Sequence, residues 1–343
     1  MAVIIPCAGR SSRYPGTRPK YLLTMYNGDL MFEQAVRPYV QTEDIHFIIL
    51  KEHDDQYNVQ SIIKKVYKDL PNIFIHVLDK ETSGPAETVY TVTKNLKNES
   101  IFIKDCDSFF DAELRNDNHV CVADLRENLN VTKVAAKSFA VINDQDMITN
   151  IVEKSVASNY ICVGGYGFKN SDEYNTAFEK LNDQSSEVFV SHVIKEIINN
   201  KPFEIHRVNN YVDVGTYAEF VEYNQGKTTI FCDLDGTVFY NQSRWFDNHY
   251  GVDPVAIPNA VKYLLKKQNE GCTIIFITSR PEENKEIALA ALDKLGFKNF
   301  RVLFDLPHSP RMVINDHSIT NPYPTALALN VPRDNNDFWN SIS

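Results

Sequence analysis

The sequence predicts an α/β protein of two modules, each built on a largely parallel sheet covered by helices. Short apolar runs alternate with longer amphipathic stretches along the chain, as buried parallel strands alternate with the helices that cover them. That alternation stops at a polar run, Asn224-Gln225-Gly226-Lys227, and then restarts. The chain has 343 residues and is 43% hydrophobic, enough for two ordinary cores and long for one.

Taken in order, the first buried-strand candidates are Val3–Pro6, His46–Leu50, Phe74–Leu78 and Ile101–Ile103. Met31–Tyr39 and Val59–Lys68 carry helical spacing between them, and Lys51–Asp55 reads as a solvated loop. Beyond residue 131 the strands come with turn signals, at Val134–Ala140 and Asn159–Phe168. A helix at Phe189–Asn199 and a strand at Phe203–Arg207 complete the first module. The boundary falls near Gly226, giving domains 1–226 and 227–343. The second module opens with a strand at Thr229–Leu234, then a helix at Ala260–Gln268, a strand at Thr273–Ile277 and a helix at Pro281–Leu295.

Bulk properties exclude several functions. A formal net charge of −10 argues against nucleic acid as a partner, because phosphate-backbone binding needs clustered Lys and Arg. A basic pocket can still sit inside an acidic surface. Six cysteines are scattered singly with no C-x-x-C pair, so buried free thiols in a reducing compartment are expected and a zinc site is not. His53, His76, His192, His206 and His308 have no metal-like spacing and read as surface or packing residues. Trp245 and Trp339 lie in polar surroundings, Trp339 as a pin for the tail; His317 stands out from the other histidines by its place beside Asp316, with a helix cap as the alternative reading. The chain enters its first strand without a basic, apolar leader, and no apolar run approaches the ~20 residues of a membrane span. The expected location is therefore cytoplasmic, with no membrane partner.

In the first module, Pro6-Cys7-Ala8-Gly9-Arg10-Ser11-Ser12-Arg13 follows the opening strand directly, and Pro19-Lys20 comes a few residues later. Small residues at a strand's C-terminal edge let the backbone approach a ligand, and free amides there can cradle an anion. Arg13 and Lys20 flank that edge with two cations, which suits a triphosphate whose α-phosphorus needs its charge neutralised before attack.

These residues resemble the sugar-phosphate nucleotidyltransferase family, and the resemblance spans about residues 1–225. Later landmarks follow in order: Thr82-Ser83-Gly84-Pro85-Ala86, Asp107 after an apolar strand, Glu153-Lys154, the strand Val163–Phe168, and Val212-Asp213-Val214-Gly215-Thr216. The resemblance implies a Rossmann-like, GT-A-like mixed sheet. It implies nucleotide contacts from Cys7, Ala8, Gly9, Gly84, Pro85 and Ala86, and acceptor contacts from Glu153, Lys154 and Gly165. Arg13 and Lys20 would be catalytic, and Asp107 and Asp213 would hold Mg²⁺. Few carboxylates plus substrate phosphates are a common way to hold that ion. Both acids follow apolar strands and could reach one carboxyl edge of a sheet, where open α/β sheets bind ligands. Asp105 is the weaker metal candidate. The substrates would be an NTP and a phosphorylated sugar or polyol; Pro6-Cys7-Ala8-Gly9 in place of the usual Gly-Gly points to CTP and leaves UTP, dTTP and GTP open.

In the second module, Phe231-Cys232-Asp233-Leu234-Asp235-Gly236-Thr237 puts two carboxylates at one strand tip, one placed to attack phosphorus and one to protonate the leaving oxygen. It resembles the first motif of the haloacid dehalogenase superfamily. That resemblance implies a second Rossmann-like domain, with Asp233 as nucleophile and Asp235 as acid/base, both also as metal ligands. Thr278 and Ser279 in Phe276–Pro281 would bind phosphate, with Arg311 standing where the superfamily usually has Lys. Ile314-Asn315-Asp316 resembles the fourth motif with one of its two acids replaced, leaving Asp316 as the distal Mg²⁺ ligand. These departures open a rival reading, a silent scaffold domain; a nucleotide-sensing binding protein is a further one. Val238 to Gly271 leaves little material for a cap, so the transferase module, or a second subunit of a homo-oligomer, would shield the site, or the substrate is bulky.

Overall fold

The computed structural model describes residues 1–68, 70–127, 134–181, 187–242, 250–316 and 325–342. Trp245 and His317 lie outside the described residues. The chain divides into two compact units, Met1–Phe220 and Val221–Ser343.

The first unit contains strands β1 (Ala2–Pro6), β2 (Asp44–Leu50), β3 (Ile73–Leu78), β4 (Ile101–Lys104), β5 (Ser108–Asp111), β6 (His119–Asp124), β7 (Phe139–Ile142), β8 (Ile148–Val152), β9 (Tyr160–Phe168), β10 (Glu204–Arg207) and β11 (Asn209–Asp213). Its helices are α1 (Met31–Val36), α2 (Lys51–Tyr57), α3 (Val59–Tyr67), α4 (Pro85–Thr93), α5 (Ser171–Lys180) and α6 (Val190–Ile198), and α7 (Tyr217–Gln225) begins in it. Nine strands form one mixed sheet among the described residues, in the order β10-β6-β9-β4-β1-β2-β3, with β7 and β8 paired beside β9. β4, β1, β2 and β3 run parallel, and β9 is antiparallel to β4 and β6. β5 and β11 stand apart as a two-stranded antiparallel ribbon.

Alternation along β1 explains why its whole run is apolar. Ala2 and Ile4 enter one core with Ala86, Val89, Tyr174, Phe178 and Val193, whereas Val3 and Ile5 enter the other with Phe32, Val36, Val59 and Ile63. A strand covered on both faces has no polar side to show. Helix starts follow local chemistry. Pro85 takes the first position of α4, where its missing N–H costs nothing, and the Asn170 side chain caps α5 by accepting from the Asp172 amide.

Lys51–Asp55 is helix rather than loop. His53 faces inward with Nδ1 3.2 Å from the Tyr21 hydroxyl, so a charged-looking run carries one buried anchor. Val134–Ala140 is not one strand: Val134–Ala136 is a 3-10 turn, and β7 starts at Phe139, which is fully buried.

In the second unit β12 (Thr229–Asp233), β13 (Thr273–Ile277) and β14 (Arg301–Leu303) form a parallel sheet in that order. Helices α8 (Pro258–Asn269) and α9 (Lys285–Leu295) accompany it, α9 preceded by a 3-10 turn at Glu282–Asn284 and ended by Gly296 at φ +98°. Cys232, Leu234, Phe239, Leu264, Phe276, Leu292 and Phe297 fill the core. Trp339 packs on Ile257 and Ala260, so it pins the tail through apolar contact. Ile314 is 87% exposed and its stretch carries no helix or strand.

Candidate active sites

Two acids far apart in sequence meet in the first unit. The β5–β11 ribbon pairs Asp213 with Ser108, and the Val214 amide donates to the Asp107 carbonyl at 2.9 Å. Asp107 and Asp213 thus converge through the ribbon, and not as the ends of two strands in one sheet. Gly215 lies between them. A Cβ there would sit 3.0 Å from Asp213 Oδ1, 3.4 Å from Asp107 Oδ2 and 3.4 Å from Arg13 Nη1, so the glycine leaves a small cradle lined by both acids and a cation.

Lysines neutralise both acids. Lys20 Nζ bonds Asp107 Oδ2, and Arg13 Nη2 stands 3.6 Å from the same oxygen. Lys137 pairs with Asp213. Nothing in the sequence marks Lys137: it lies inside the run Val134–Ala140, where a strand is expected, and outside the motifs, whereas the structure puts it between the 3-10 turn and β7. The loop that carries Arg13 is braced at three points: the Tyr14 hydroxyl donates to the Val214 carbonyl, the Lys20 amide donates to Ser11 Oγ at 3.0 Å, and the Tyr217 amide donates to the Arg13 carbonyl at 3.3 Å. Arg13 itself is 62% exposed, while Asp107 and Asp213 are 13% and 16% exposed.

Burial alone would raise the Asp107 carboxyl, but Lys20 and Arg13 outweigh it and hold the group well below the ordinary carboxylate range. Asp105 shows the opposite balance: burial and the Asp107 charge push it up to about 6. Lys104, wholly buried beneath, is brought down to about 8 by burial, although it donates to the Asp105 carbonyl at 2.7 Å. Asp105 therefore keeps its proton to a higher pH than Asp107 does.

The opening loop corrects part of the expectation. The Cys7 amide donates to the Ile48 carbonyl at 2.8 Å, so it is not free for an anion, and Ala8 is buried. Gly9 faces open space. The 82–86 segment is similarly divided. Ala86 is fully buried with its amide bonded to the Val188 carbonyl at 3.1 Å, and a Cβ at Gly84 would strike that same carbonyl at 2.6 Å. Pro85 opens α4 beside them without an N–H to offer. Ala86 therefore shapes the turn from within and offers no surface to a base.

Among the acceptor candidates, Glu153 accepts from the Ser138 hydroxyl at 2.8 Å and from the Ser191 hydroxyl, which fixes it rather than leaving it free. Lys154, at φ +51°, is exposed with Nζ 4.6 Å above the Phe189 ring, and its amide donates to the Lys137 carbonyl. Gly165 is buried on β9; a Cβ there would meet Phe110 and Cys121 within 2.9 Å, so packing explains the glycine.

In the second unit Asp233 and Asp235 stand at the tip of β12. The Thr237 hydroxyl donates to Asp233 Oδ2 at 3.2 Å, and burial raises the Asp233 carboxyl. Asp235 is gripped by Arg280, which is 0% exposed: Nε donates at 2.9 Å to Oδ2 and Nη2 at 2.7 Å to Oδ1. Thr278 Oγ1 adds a 3.1 Å bond to Asp235, and Ser279 beside it is half-buried. Arg280 lies within the Phe276–Pro281 motif, whose resemblance assigns it no role. Gly236, at φ +91°, lies under Arg333, whose Cγ would be 2.7 Å from a Cβ, and the Asp334 amide returns to the Gly236 carbonyl. Arg311 and Arg333 both lower the Asp233 carboxyl electrostatically. Arg311 is exposed and donates to its own loop at the Pro307 carbonyl, 2.7 Å away. Asp316 is exposed in irregular chain, its carbonyl accepting from Thr325, with no ligand-like contact to Asp233 or Asp235 among the described residues.

No protein-family model matches the chain, and no curated protein matches it. Solved structures do. A nucleoside-diphosphate-sugar pyrophosphorylase from Vibrio cholerae matches 65% of this chain over 99% of its own, at 21% identity and a TM-score of 0.57. The inositol-1-phosphate CTP transferase from T. maritima matches 64% of the chain over 90% of its own, at 16% identity and a TM-score of 0.52. A UDP-glucose pyrophosphorylase complexed with UDP-glucose matches 64% over 96%, at 15% identity and a TM-score of 0.50. About two-thirds of the chain thus has the mixed α/β fold of nucleotidyltransferases. No helix among the described residues is long and apolar enough to cross a membrane.

Proposed function

We propose that the domain expected at residues 1–226 transfers a nucleotidyl group from an NTP to a sugar or polyol phosphate and releases pyrophosphate. The observation that carries this reading is the convergence of Asp107, Asp213, Arg13, Lys20 and Lys137 about Gly215. An acceptor phosphate oxygen attacks the α-phosphorus, the bond to the β-phosphate bridging oxygen breaks, and its electrons leave with pyrophosphate. Arg13 and Lys20 neutralise the charge that builds on the phosphates, and positioning supplies the rest. Lys154, exposed at its turn, is suited to the acceptor's phosphate. The oxygens around Gly215 fit a hard divalent cation, so Asp107 and Asp213 would hold Mg²⁺, which supplies Lewis-acid polarisation of the phosphates when bound. CTP is the nucleotide proposed, on the Pro6–Gly9 sequence.

For the domain expected at 227–343 we propose phosphomonoester hydrolysis. Asp233 attacks phosphorus to give an aspartyl-phosphate, the leaving oxygen takes a proton from Asp235, and water then releases phosphate. Thr278, Ser279 and Arg311 would bind the phosphoryl group, with Asp316 completing a metal site. The bidentate grip of Arg280 on Asp235 favours a second reading, in which this domain is a silent scaffold, because the acid/base group is committed to a structural ion pair.

Incubating the protein with each NTP, Mg²⁺ and a panel of sugar and polyol phosphates, followed by mass spectrometry, tests the first proposal; no pyrophosphate from any pair sinks it. Phosphate release from test monoesters that is unchanged in Asp233→Asn sinks the second.

A further inference from the structure

Away from both acid clusters, three metal-liganding side chains meet at the edge of the nine-stranded sheet. β10 runs parallel to β6 with His206 opposite Cys121 and Glu204 opposite His119. Side chains alternate along a strand, so His119 and Cys121 share a face, and the pairing adds His206 to it. One ligand atom from each lies within 4.8 Å of the other two.

The ring nitrogens are prepared for coordination. His119 is 0% exposed, and its Nδ1 sits 2.8 Å from Asp117 Oδ1 and 3.1 Å from the Asp117 carbonyl. Both neighbours accept, so Nδ1 carries the proton and Nε2 keeps its lone pair. That Nε2 and Nδ1 of His206 are buried without a hydrogen-bond partner. Buried polar atoms are normally bonded, and two orphans in one three-residue cluster point to a ligand. A carboxylate behind the imidazole is also the arrangement that orients metal-bound histidines. Space is made on β9: a Cβ at Gly167 would lie 2.1 Å from His119 Cε1, and one at Gly165 would lie 2.9 Å from Cys121 Sγ.

We propose that His119, Cys121 and His206 bind one zinc-class transition-metal ion, which clips the edge strand β10 to β6. A thiolate with two imidazoles suits Zn²⁺ and not the hard, oxygen-seeking Mg²⁺. Zn–N near 2.1 Å and Zn–S near 2.3 Å set ligand separations of roughly 3.4–3.7 Å, so side-chain torsions must close about 1 Å. The thiol proton leaves to solvent on binding, and solvent takes the remaining coordination position. His206 is only half-buried and marks the side of entry. This strict spacing escaped the sequence because the third ligand is supplied by strand pairing across some 85 residues.

The test uses the full chain purified without a polyhistidine tag. Zn²⁺ is titrated against a chromophoric chelator, and Co²⁺ is added as a spectroscopic probe. The expected result is one Zn²⁺ per chain and a near-ultraviolet sulfur-to-cobalt band, lost in Cys121→Ser and retained in Cys162→Ser. His206→Gln, at the half-buried position, should lose binding with its circular dichroism unchanged, which separates ligand loss from unfolding. Asp117→Asn should weaken Zn²⁺ binding roughly 10–100-fold. Wild-type protein that takes up no Zn²⁺, or a cobalt band that survives both Cys121→Ser and His206→Gln, overturns the proposal.

Discussion

The two acid pairs, Asp107/Asp213 and Asp233/Asp235, are built from the same side chains and neutralised in opposite ways. In the first unit each acid has a lysine, Lys20 or Lys137, on a long flexible stem, and the exposed Arg13 stands nearby. In the second unit Asp235 is held on two edges by the fully buried Arg280, while Asp233 has a hydroxyl and more distant guanidinium groups. A lysine ammonium can swing aside when a cation or phosphate arrives; a planar guanidinium locked bidentate in a core cannot. The difference separates a site poised to exchange counter-ions from one whose counter-ion is part of the fold.

The strongest way to break that contrast is to remove an acid from the poised site. Asp107→Asn or Asp213→Asn should lower pyrophosphate release by about 10²–10³-fold, the cost of losing a charge-stabilising group at a reacting centre, as read in a coupled pyrophosphate assay. Activity within tenfold of wild type would end the functional assignment of the pair. Next, Arg280→Met should destabilise the second unit by about 3–5 kcal/mol in urea unfolding, because it strands the buried Asp235 charge. Adding Asp235→Asn to it should restore part of that loss; no recovery would show that Arg280 acts by packing alone.

Two smaller effects sharpen the comparison. Lys137→Gln removes the competitor for Asp213, so the Mg²⁺ concentration giving half-maximal thermal stabilisation should fall several-fold. The last concerns pH. The Asp105 carboxyl is raised to about 6, so its protonated form contributes stability that is complete below the ordinary carboxylate pKa and is lost as pH rises through 6. Asp105→Asn should therefore stabilise the protein at pH 8 relative to pH 5, by on the order of 1–2 kcal/mol. Asp107 has the opposite sign, its contribution lost only at acid pH, and should mask none of this between pH 5 and 8.

Period and punctuation carried the main strands and helices, because β1, β2 and β9 are apolar runs whose burial is local information; β3 and β12 form where expected but are less buried than their apolar sequences predict, with Phe74 and Phe231 exposed. Asp107 and Asp213 were legible as candidates because each falls in a landmark of the family resemblance, in the expected order. Their meeting place was not, since it depends on the β5–β11 ribbon, and short, half-exposed strands leave little trace in a sequence. Lys137 and Arg280 were opaque for the same reason: what distinguishes them is a partner distant along the chain. The Cys7 and Ala86 amides went the other way, looking available in sequence and spent in the fold.

The ribbon also sets an order of failure. Asp213 is brought to Asp107 by two short strands with a register shift between Asn209 and Val212, outside the nine-stranded sheet. On heating or in mild denaturant, that ribbon can open while the large sheet keeps its hydrogen bonds. Inactivation would then come before loss of far-ultraviolet dichroism, so a sample that still looks folded by spectroscopy can already have its carboxylates parted.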